Sequence, residues 1–355
     1  MAERRLESGK AYNFTFGHRA KPKETHRDRN PARRQVEDLE APTPGGRRET
    51  PPVTSQASYR AVGAAMAIVG VVCFSLRPIL IKLAYGYVVD PVTLLALRMV
   101  FSLPFFLAAA ALGERSPQAA PVTRKDGWAI VFLGFIGYYF ASFADFLGLQ
   151  YVSAGIGRLI LFIYPTLVVL LTMLFLHKRP SARELAALFA TYSGIALVMS
   201  SSIGGANTRF ALGAGLCFAS AAAYAVYLVV SSQVVQRVGS VRFTAYATTV
   251  ASGFCIAQFF VLRPLAALEL PPRVYEIAGA MAIFSTVLPV FITSEALRRI
   301  GANQVALVGA LGPVTTIFFG WAGLDETMTP VQLAGAVLVL GGVMLVTLHP
   351  AHKRD

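Results

Sequence analysis

The sequence contains few charged residues and only three cysteines. Charged residues make up 14% of its 355 positions, against about 25% in typical soluble domains. Hydrophobic residues make up 55%, and the mean hydropathy is +0.57. This composition excludes a soluble enzyme, a secreted disulfide-rich domain and a nucleic-acid-binding domain. The cysteines Cys73, Cys217 and Cys255 each lie inside an apolar run without a partner at metal-ligand spacing, so we interpret them as core residues.

Sequence motifs for catalysis are also missing. The chain has no GxxxxGK[ST] phosphate loop, no HExxH and no CxxC, and these are the patterns that would indicate nucleotide, zinc or redox chemistry. The five histidines fall in the N-terminal region, in one loop and near the C-terminus. We therefore predict a protein that is not an enzyme, uses no cofactor or metal, and does not bind nucleic acid.

The charge that is present is concentrated outside the apolar runs. Residues 1–60 hold 13 of the 32 Lys and Arg residues. Residues 1–58 show no apolar periodicity, so we predict a disordered, basic cytoplasmic tail. It either contacts anionic lipid headgroups or is a solvated tail with no specific role. It does not resemble a signal peptide, because the first apolar run begins only near Ala61.

Apolar runs long enough to cross a bilayer recur along the rest of the chain. A spanning helix needs roughly 20 mainly apolar residues. The runs lie near 61–83, 91–112, 128–150, 153–176, 182–201, 210–235, 243–262, 274–297, 303–323 and 330–348. The sequence therefore predicts an all-α, polytopic membrane protein with ten transmembrane helices.

Basic residues in the loops indicate how these helices are oriented. With the N-terminus inside, 25 Lys and Arg residues fall on the cytoplasmic side, and only Arg209, Arg263 and Arg273 fall outside. Because cytoplasmic loops are enriched in Lys and Arg, we predict cytoplasmic N- and C-termini, the latter being residues 349–355. The expected location is the plasma membrane, as in the inner membrane of a bacterium.

The chain also contains an internal repeat. A shift of 148 residues places Leu149 on Leu297, Pro165 on Pro313 and Gly194 on Gly342. The repeats would cover 61–200 and 209–348, with five spans each. An odd number of spans forces the second copy to insert upside down, and inverted repeats are typical of secondary transporters.

Several stretches resemble a known family. They are FSLRPILIK in the first span, LALRMVF in the second, FADFLGLQYVSAG in the third, LFIYPTLVVLLTMLFLHKRPSARE in the fourth, YSGIALVM in the fifth, and GANQVALVGALGPVTTIFFGWAGLDETMTPVQLAGAVLVLGGVML in the second half. The sequence is similar to EamA-type transporters of the drug/metabolite transporter superfamily over 61–348. Phe74 stands where the family often has Trp, and Arg158 where it often has a small or apolar residue.

This resemblance implies ten spans in two five-span repeats and a secondary carrier, commonly an exporter of amino acids or other small metabolites. The residues themselves favour a small metabolite with a carboxylate or other anionic group. Membrane lipid is the other expected partner, and a proton is a candidate coupling ion. The alternatives are a membrane-embedded lipid-handling enzyme and a membrane subunit that transports nothing. Substrate identity, direction, coupling ion and oligomeric state stay open.

Ionisable residues inside spans are expensive to bury and are therefore candidate sites. There are six of them: Arg77, Lys82, Arg98, Asp145, Arg158 and Glu295. We predict that Asp145 pairs with one of the arginines, as a structural or a gating and proton-coupling pair. Lys82 either binds substrate or reaches to the interface. Glu295 either gates or pairs with Arg298 or Arg299.

Aromatic and polar residues complete the predicted pocket. Tyr138, Ser142 and Asp145 share one face of the third span at i, i+4 and i+7. The remaining candidates for substrate contact are Tyr164, Tyr224, Asn303 and Gln304. The candidate gating bends are Pro78, Pro165, Pro289 and Pro313, since proline removes a helical hydrogen bond.

Overall fold

The structure is a computed structural model that describes residues 53–115, 121–176, 181–203 and 208–348, and these residues fold into helices without strands. The predicted C-terminal segment 349–355 and residues 1–52 of the predicted tail lie outside the described residues. The helices are α1 (Val53–Tyr85), α2 (Pro91–Glu114), α3 (Arg124–Gly148), α4a (Ala154–Leu161), α4b (Tyr164–Leu176), α5 (Ala182–Ile203), α6 (Thr208–Val238), α7 (Ser240–Leu262), α8 (Pro272–Ile300), α9a (Ala302–Gly309), α9b (Gly312–Leu324) and α10 (Pro330–Leu348).

The start of α1 corrects the predicted boundary of the tail. Residues 53–58 were predicted to be disordered, yet the helix begins at Val53. The segment follows Pro51 and Pro52 and contains neither glycine nor proline up to Arg60. Once the apolar part of α1 has nucleated, adding helical residues at its end is cheap.

Seven stretches are long and apolar enough to cross a membrane by length and composition. They are Ser58–Tyr85, Pro91–Glu114, Arg124–Gly148, Ala154–Leu174, Thr208–Ser231, Ser240–Leu262 and Pro272–Ile300. The part of α10 over Pro330–Leu345 is also apolar but is shorter than these seven stretches. Large apolar side chains such as Phe189 and Val261 are 76% and 80% exposed. A polytopic membrane protein fits these features, because lipid is the solvent that favours such a surface.

Local chemistry explains several helix ends. Asp90 precedes Pro91 and accepts hydrogen bonds from the first backbone N–H groups of α2, and Thr123 forms a capping box with Asp126 at the start of α3. Single glycines separate α6 from α7 and α8 from α9a. Gly239 and Gly301 have φ values of 88° and 82°, a left-handed conformation that side chains disfavour.

The principal helix pairs are antiparallel. On α1 and α8, Gly63 lies against Arg299 and Gly70 against Thr293, so residue numbers rise on one helix as they fall on the other. The pairs α3 with α6, α2 with α7, α5 with α10 and α4a with α9b show the same behaviour.

Three predicted bends coincide with irregular backbone, and one does not. The fourth helix breaks at Phe162 and Ile163, just before Pro165, and the ninth breaks just before Pro313. A wide π turn over Ile283–Val287 precedes Pro289, and a similar turn covers Gly134–Phe140 in α3. Pro78 was expected to open α1, but the helix continues through it to Tyr85.

Candidate functional site

A cavity of about 380 Å³ lies among eight of the helical spans, which is within the usual range of about 300–1,000 Å³ for small-molecule sites. Its lining residues come from both halves of the sequence. They are Val71, Phe74, Arg77, Arg98, Met99, Phe106, Gly137, Tyr138, Ala141, Ser142, Asp145, Arg158, Leu161, Phe162, Tyr164, Pro165, Ser220, Tyr224, Thr248, Thr286, Val290, Thr293, Val305 and Gly309.

Most of the predicted site residues meet in this cavity. Arg77 comes from α1, Arg98 from α2, Asp145 from α3 and Arg158 from α4a. The lining also includes the predicted residues Tyr138, Tyr164, Tyr224 and Pro165. Four consecutive helices of the first half therefore bring their charged side chains to one chamber.

Asp145 does not form the ion pair that the sequence predicts. No basic group of the described residues lies within 4.0 Å of its carboxylate. Arg77, Arg98 and Arg158 line the same cavity as this carboxylate. The carboxylate is 6% exposed and lines the cavity. Arg77 and Arg98 are held by hydrogen bonds to other groups, so these charges surround a space and do not contact the carboxylate.

The arginine anchors are specific. Arg77 Nη2 donates to the carbonyl oxygen of Ser285 at 3.3 Å, within the π turn of α8 where the carbonyl pattern is irregular. Arg98 Nη2 donates to Ser142 Oγ at 3.3 Å, and its guanidinium lies 4.9 Å from the ring centre of Phe146. Such cation–π contacts replace part of the lost hydration.

Tyrosine rings form a connected cluster on one side of the cavity. Tyr164 and Tyr224 meet edge to face at 5.0 Å, and Tyr224 stacks on Tyr227 at 5.6 Å. Tyr227 donates a hydrogen bond to the Tyr138 hydroxyl at 3.2 Å. Helices α3, α4b and α6 are thereby joined at the cavity. The cluster offers rings for stacking and hydroxyls for hydrogen bonding.

Hydroxyl residues of the second half line the cavity without having been predicted. They are Ser220, Thr248, Thr286 and Thr293. Ser220 also donates to the Ala141 carbonyl oxygen at 2.6 Å. Isolated Ser and Thr residues in spans are common and carry no distinguishing pattern, so only their positions in three dimensions reveal them.

The other predicted site residues lie elsewhere. Lys82 is absent from the lining and interacts electrostatically with Glu326. Gln304 is exposed on α9a, and the side chain of Asn303 lies outside the described residues. Glu295 is bound by Arg298 and Arg299, with shortest distances of 2.8 Å and 2.7 Å. The local ion pairs considered for Glu295 are therefore present, and its gating role stays a prediction.

The prolines occupy distinct positions. Pro165 lines the cavity at the start of α4b, while Pro313 and Pro289 are buried near the starts of helical segments. Pro78 is buried within continuous helix beside Arg77. Their roles as hinges stay predictions.

Comparisons with known proteins agree with this architecture. The model of the EamA-like transporter family matches residues 61–200 and 211–348. An uncharacterized transporter, YcbK, of Bacillus subtilis is 30% identical over 83% of this chain and 94% of its own length. An uncharacterized transporter of Synechocystis, sll1319, is 25% identical over 71% of this chain and 78% of its own.

A solved crystal structure has a similar fold. It matches with a TM-score of 0.55 and 18% identity, covering 83% of this chain and 99% of that one. The helical architecture, the central charged cavity and the two matched regions together support one assignment: the chain belongs to the EamA-like transporter family.

Proposed function

We propose that the protein is a secondary active transporter that exports a small carboxylate-bearing metabolite, such as an amino acid or a related compound, by alternating access. The observation that carries this proposal is the central cavity, which is lined by four charged residues and by helices from both halves. Charges buried at membrane depth are stable only where they face partners or an aqueous space. A cavity that binds a polar solute provides that space.

Two inverted five-helix repeats provide the mechanism for alternating access in this proposal. The family model matches twice, over 61–200 and 211–348. The 148-residue shift maps Ala187 onto Gly335 and Gly194 onto Gly342. Gly194 packs on Gly335 and Gly342 packs on Ala187, so the shift converts one contact into the other. These corresponding helices, α5 and α10, are antiparallel, as inverted repeats require. The proposed ten spans include α5, α9 and α10, which are not among the seven stretches identified above by length and composition.

The paired breaks support a rocking motion of the repeats. The interruptions before Pro165 and Pro313 occupy equivalent positions, as do the π turns in α3 and α8. Half-helices and wide turns leave backbone groups free to face a cavity, and they offer bend points. In this proposal the plasma membrane holds the protein with both termini in the cytoplasm, since the basic loops face that side.

Asp145 is the group proposed to carry a proton if transport is proton-coupled. It is the one carboxylate among the cavity-lining residues that the structure describes. Reconstituted Asp145→Asn protein should lose its response to an imposed pH gradient. A variant that kept the full response would contradict the role of Asp145.

The transport proposal is tested by comparing metabolites in spent medium from deletion and overexpression strains. We expect at least one small acid to accumulate outside the overexpressing cells and to be depleted outside the deletion strain. The same compound should then show counterflow in proteoliposomes of the purified chain. Unchanged media and the absence of counterflow for every differing metabolite would contradict transport and favour the non-transporting alternatives.

A further inference from the structure

The cavity has an unbalanced charge. Three guanidinium groups, those of Arg77, Arg98 and Arg158, line it together with the single carboxylate of Asp145, so the net charge of its lining is +2. Arg98 is only 1% exposed. A buried charge without a counter-charge is strongly unfavourable. The chamber therefore favours an occupant of negative charge.

Each arginine also keeps donors that the protein does not satisfy. Arg77 Nε, Arg98 Nε, Arg98 Nη1 and Arg158 Nε are buried and have no acceptor among the described residues. Leaving one buried donor unsatisfied costs about 1–3 kcal/mol. The guanidinium fork matches the paired oxygens of carboxylates and phosphates. These donors define an acceptor site that the fold itself leaves unfilled.

The three guanidinium groups are held at different points of the lining. Arg77 is held from the α8 side by the carbonyl oxygen of Ser285. Arg98 is held on the α3 side by Ser142 and Phe146. Arg158 packs against Gly312 at the start of α9b. Donors from three helices, α1, α2 and α4a, are therefore available to one occupant of the cavity.

The position of Arg158 depends on a glycine. A Cβ added at Gly312 would lie 3.3 Å from Arg158 Nη2, so the guanidinium packs against the start of α9b. The Gly312 carbonyl oxygen accepts a hydrogen bond from Ser75 at 3.0 Å. The N-terminal end of a helix carries partial positive charge, which adds to the positive potential at this end of the cavity.

We infer that the substrate of the proposed transporter is a small dianion, whose two negative charges lie on two carboxylates or on one phosphate, bound by Arg77, Arg98 and Arg158. A dianion neutralises the lining, whereas a monoanion leaves one positive charge. A zwitterion leaves both positive charges, and its ammonium group would meet three guanidinium groups. The inference rests on the proposed function and narrows its substrate class. The negative charge of Asp145 then lowers the affinity for the anion, so that the bound substrate can dissociate.

The test uses two sets of probes, four five-carbon compounds of nearly equal size and a pair of three-carbon compounds. Purified full-length protein in detergent is heated with glutarate, glutamate, glutamine or 1,5-diaminopentane, whose net charges differ, and with glycerol 3-phosphate against glycerol. Ligands that bind the folded state raise the midpoint of unfolding. We expect glutarate or glycerol 3-phosphate to raise it, with the stronger of the two identifying carboxylate or phosphate. Glutamine, diaminopentane and glycerol should leave it unchanged.

Substitutions test whether Arg98, Arg158 and Asp145 control binding of the dianion. Asp145→Asn should tighten binding of the effective dianion about tenfold, which corresponds to about 1.4 kcal/mol of relieved repulsion. Arg98→Gln and Arg158→Gln should weaken it at least tenfold, and Arg98→Lys should restore part of it. Arg263→Gln is the matched control, because Arg263 pairs with Asp90 and does not line the cavity. It should bind as the parent does.

The gain in affinity of Asp145→Asn cannot result from misfolding, so the test does not depend on the arginine variants being stable. The inference is overturned if glutamine or diaminopentane protects as well as the dianions, if no dianion protects, or if Asp145→Asn weakens binding. A protein that fails this test yet exchanges an uncharged or zwitterionic metabolite in vesicles would still be a transporter. Failure of the inference and failure of the proposed function are therefore distinguishable.

Discussion

Glu326 shows how a single residue outside the cavity secures the site. It lies between α9b and α10, and its carboxylate accepts hydrogen bonds from the backbone N–H of Ala154 at 2.8 Å and of Gly155 at 3.4 Å. It therefore caps α4a, the half-helix that carries Arg158. Carboxylates are favourable at helix N-termini because the free N–H groups and the helix dipole attract them.

Glu326→Ala should destabilise the protein by about 1 kcal/mol, the usual value of a lost N-cap. A lower midpoint of thermal unfolding in detergent would show it. The control is Asp325→Asn, since Asp325 is exposed at φ 52°, a left-handed conformation that asparagine also tolerates. Equal midpoints for the two variants would contradict the capping role.

The pairing of α5 with α10 brings two helix backbones close together. A Cβ on Gly194 would lie 2.6 Å from the Gly335 carbonyl oxygen, and one on Gly342 would lie 2.7 Å from the Ala187 carbonyl oxygen. Small residues allow backbones to meet at this distance, and membrane helices rely on such packing because lipid gives no hydrophobic drive between them.

Gly342→Ala should cost about 1–3 kcal/mol, as overpacking does, because the backbones of both helices must separate. Gly341→Ala is the adjacent control, since its added Cβ would meet nothing within 4 Å. Thermal unfolding of both variants in the same detergent measures the difference. A Gly342→Ala midpoint at or above that of Gly341→Ala would be inconsistent with the close packing.

The whole molecule is organised by contacts between the two halves. Helices α1 and α2 pack mainly on α8 and α7, and α3 packs on α6. Neither half could therefore enclose the cavity alone. Ion pairs hold the α2–α7 pair at both ends, through Asp90 with Arg263 and Glu114 with Arg242.

The proposed orientation is testable with single cysteines. Arg209→Cys should react with a membrane-impermeant maleimide in intact cells, whereas Lys125→Cys should react only after permeabilisation. Both positions are exposed, and the native cysteines are buried, so they provide a low background. Reaction of both variants from the same side would contradict the assigned topology.

Much of the architecture is readable from sequence because the determinants are local. Apolar length predicts helices, and α2, α7 and α8 follow the predicted spans closely. The prolines predict three irregular segments because a missing N–H acts within its own helix. Pro78 is the exception, since the rest of α1 remains helical through it.

The residues alone show that this chain is helical, apolar, internally repeated and low in charge, and they identify each charged residue inside the spans. Two features are visible only in three dimensions. Arg77, Arg98, Arg158 and Asp145 line one cavity, where the described residues form no ion pair with Asp145, and Glu326 caps α4a. The cost of burying a charge depends on one residue and its own span, so it can be predicted from local sequence. Which groups a side chain contacts depends on how distant helices pack, and local sequence does not encode that packing.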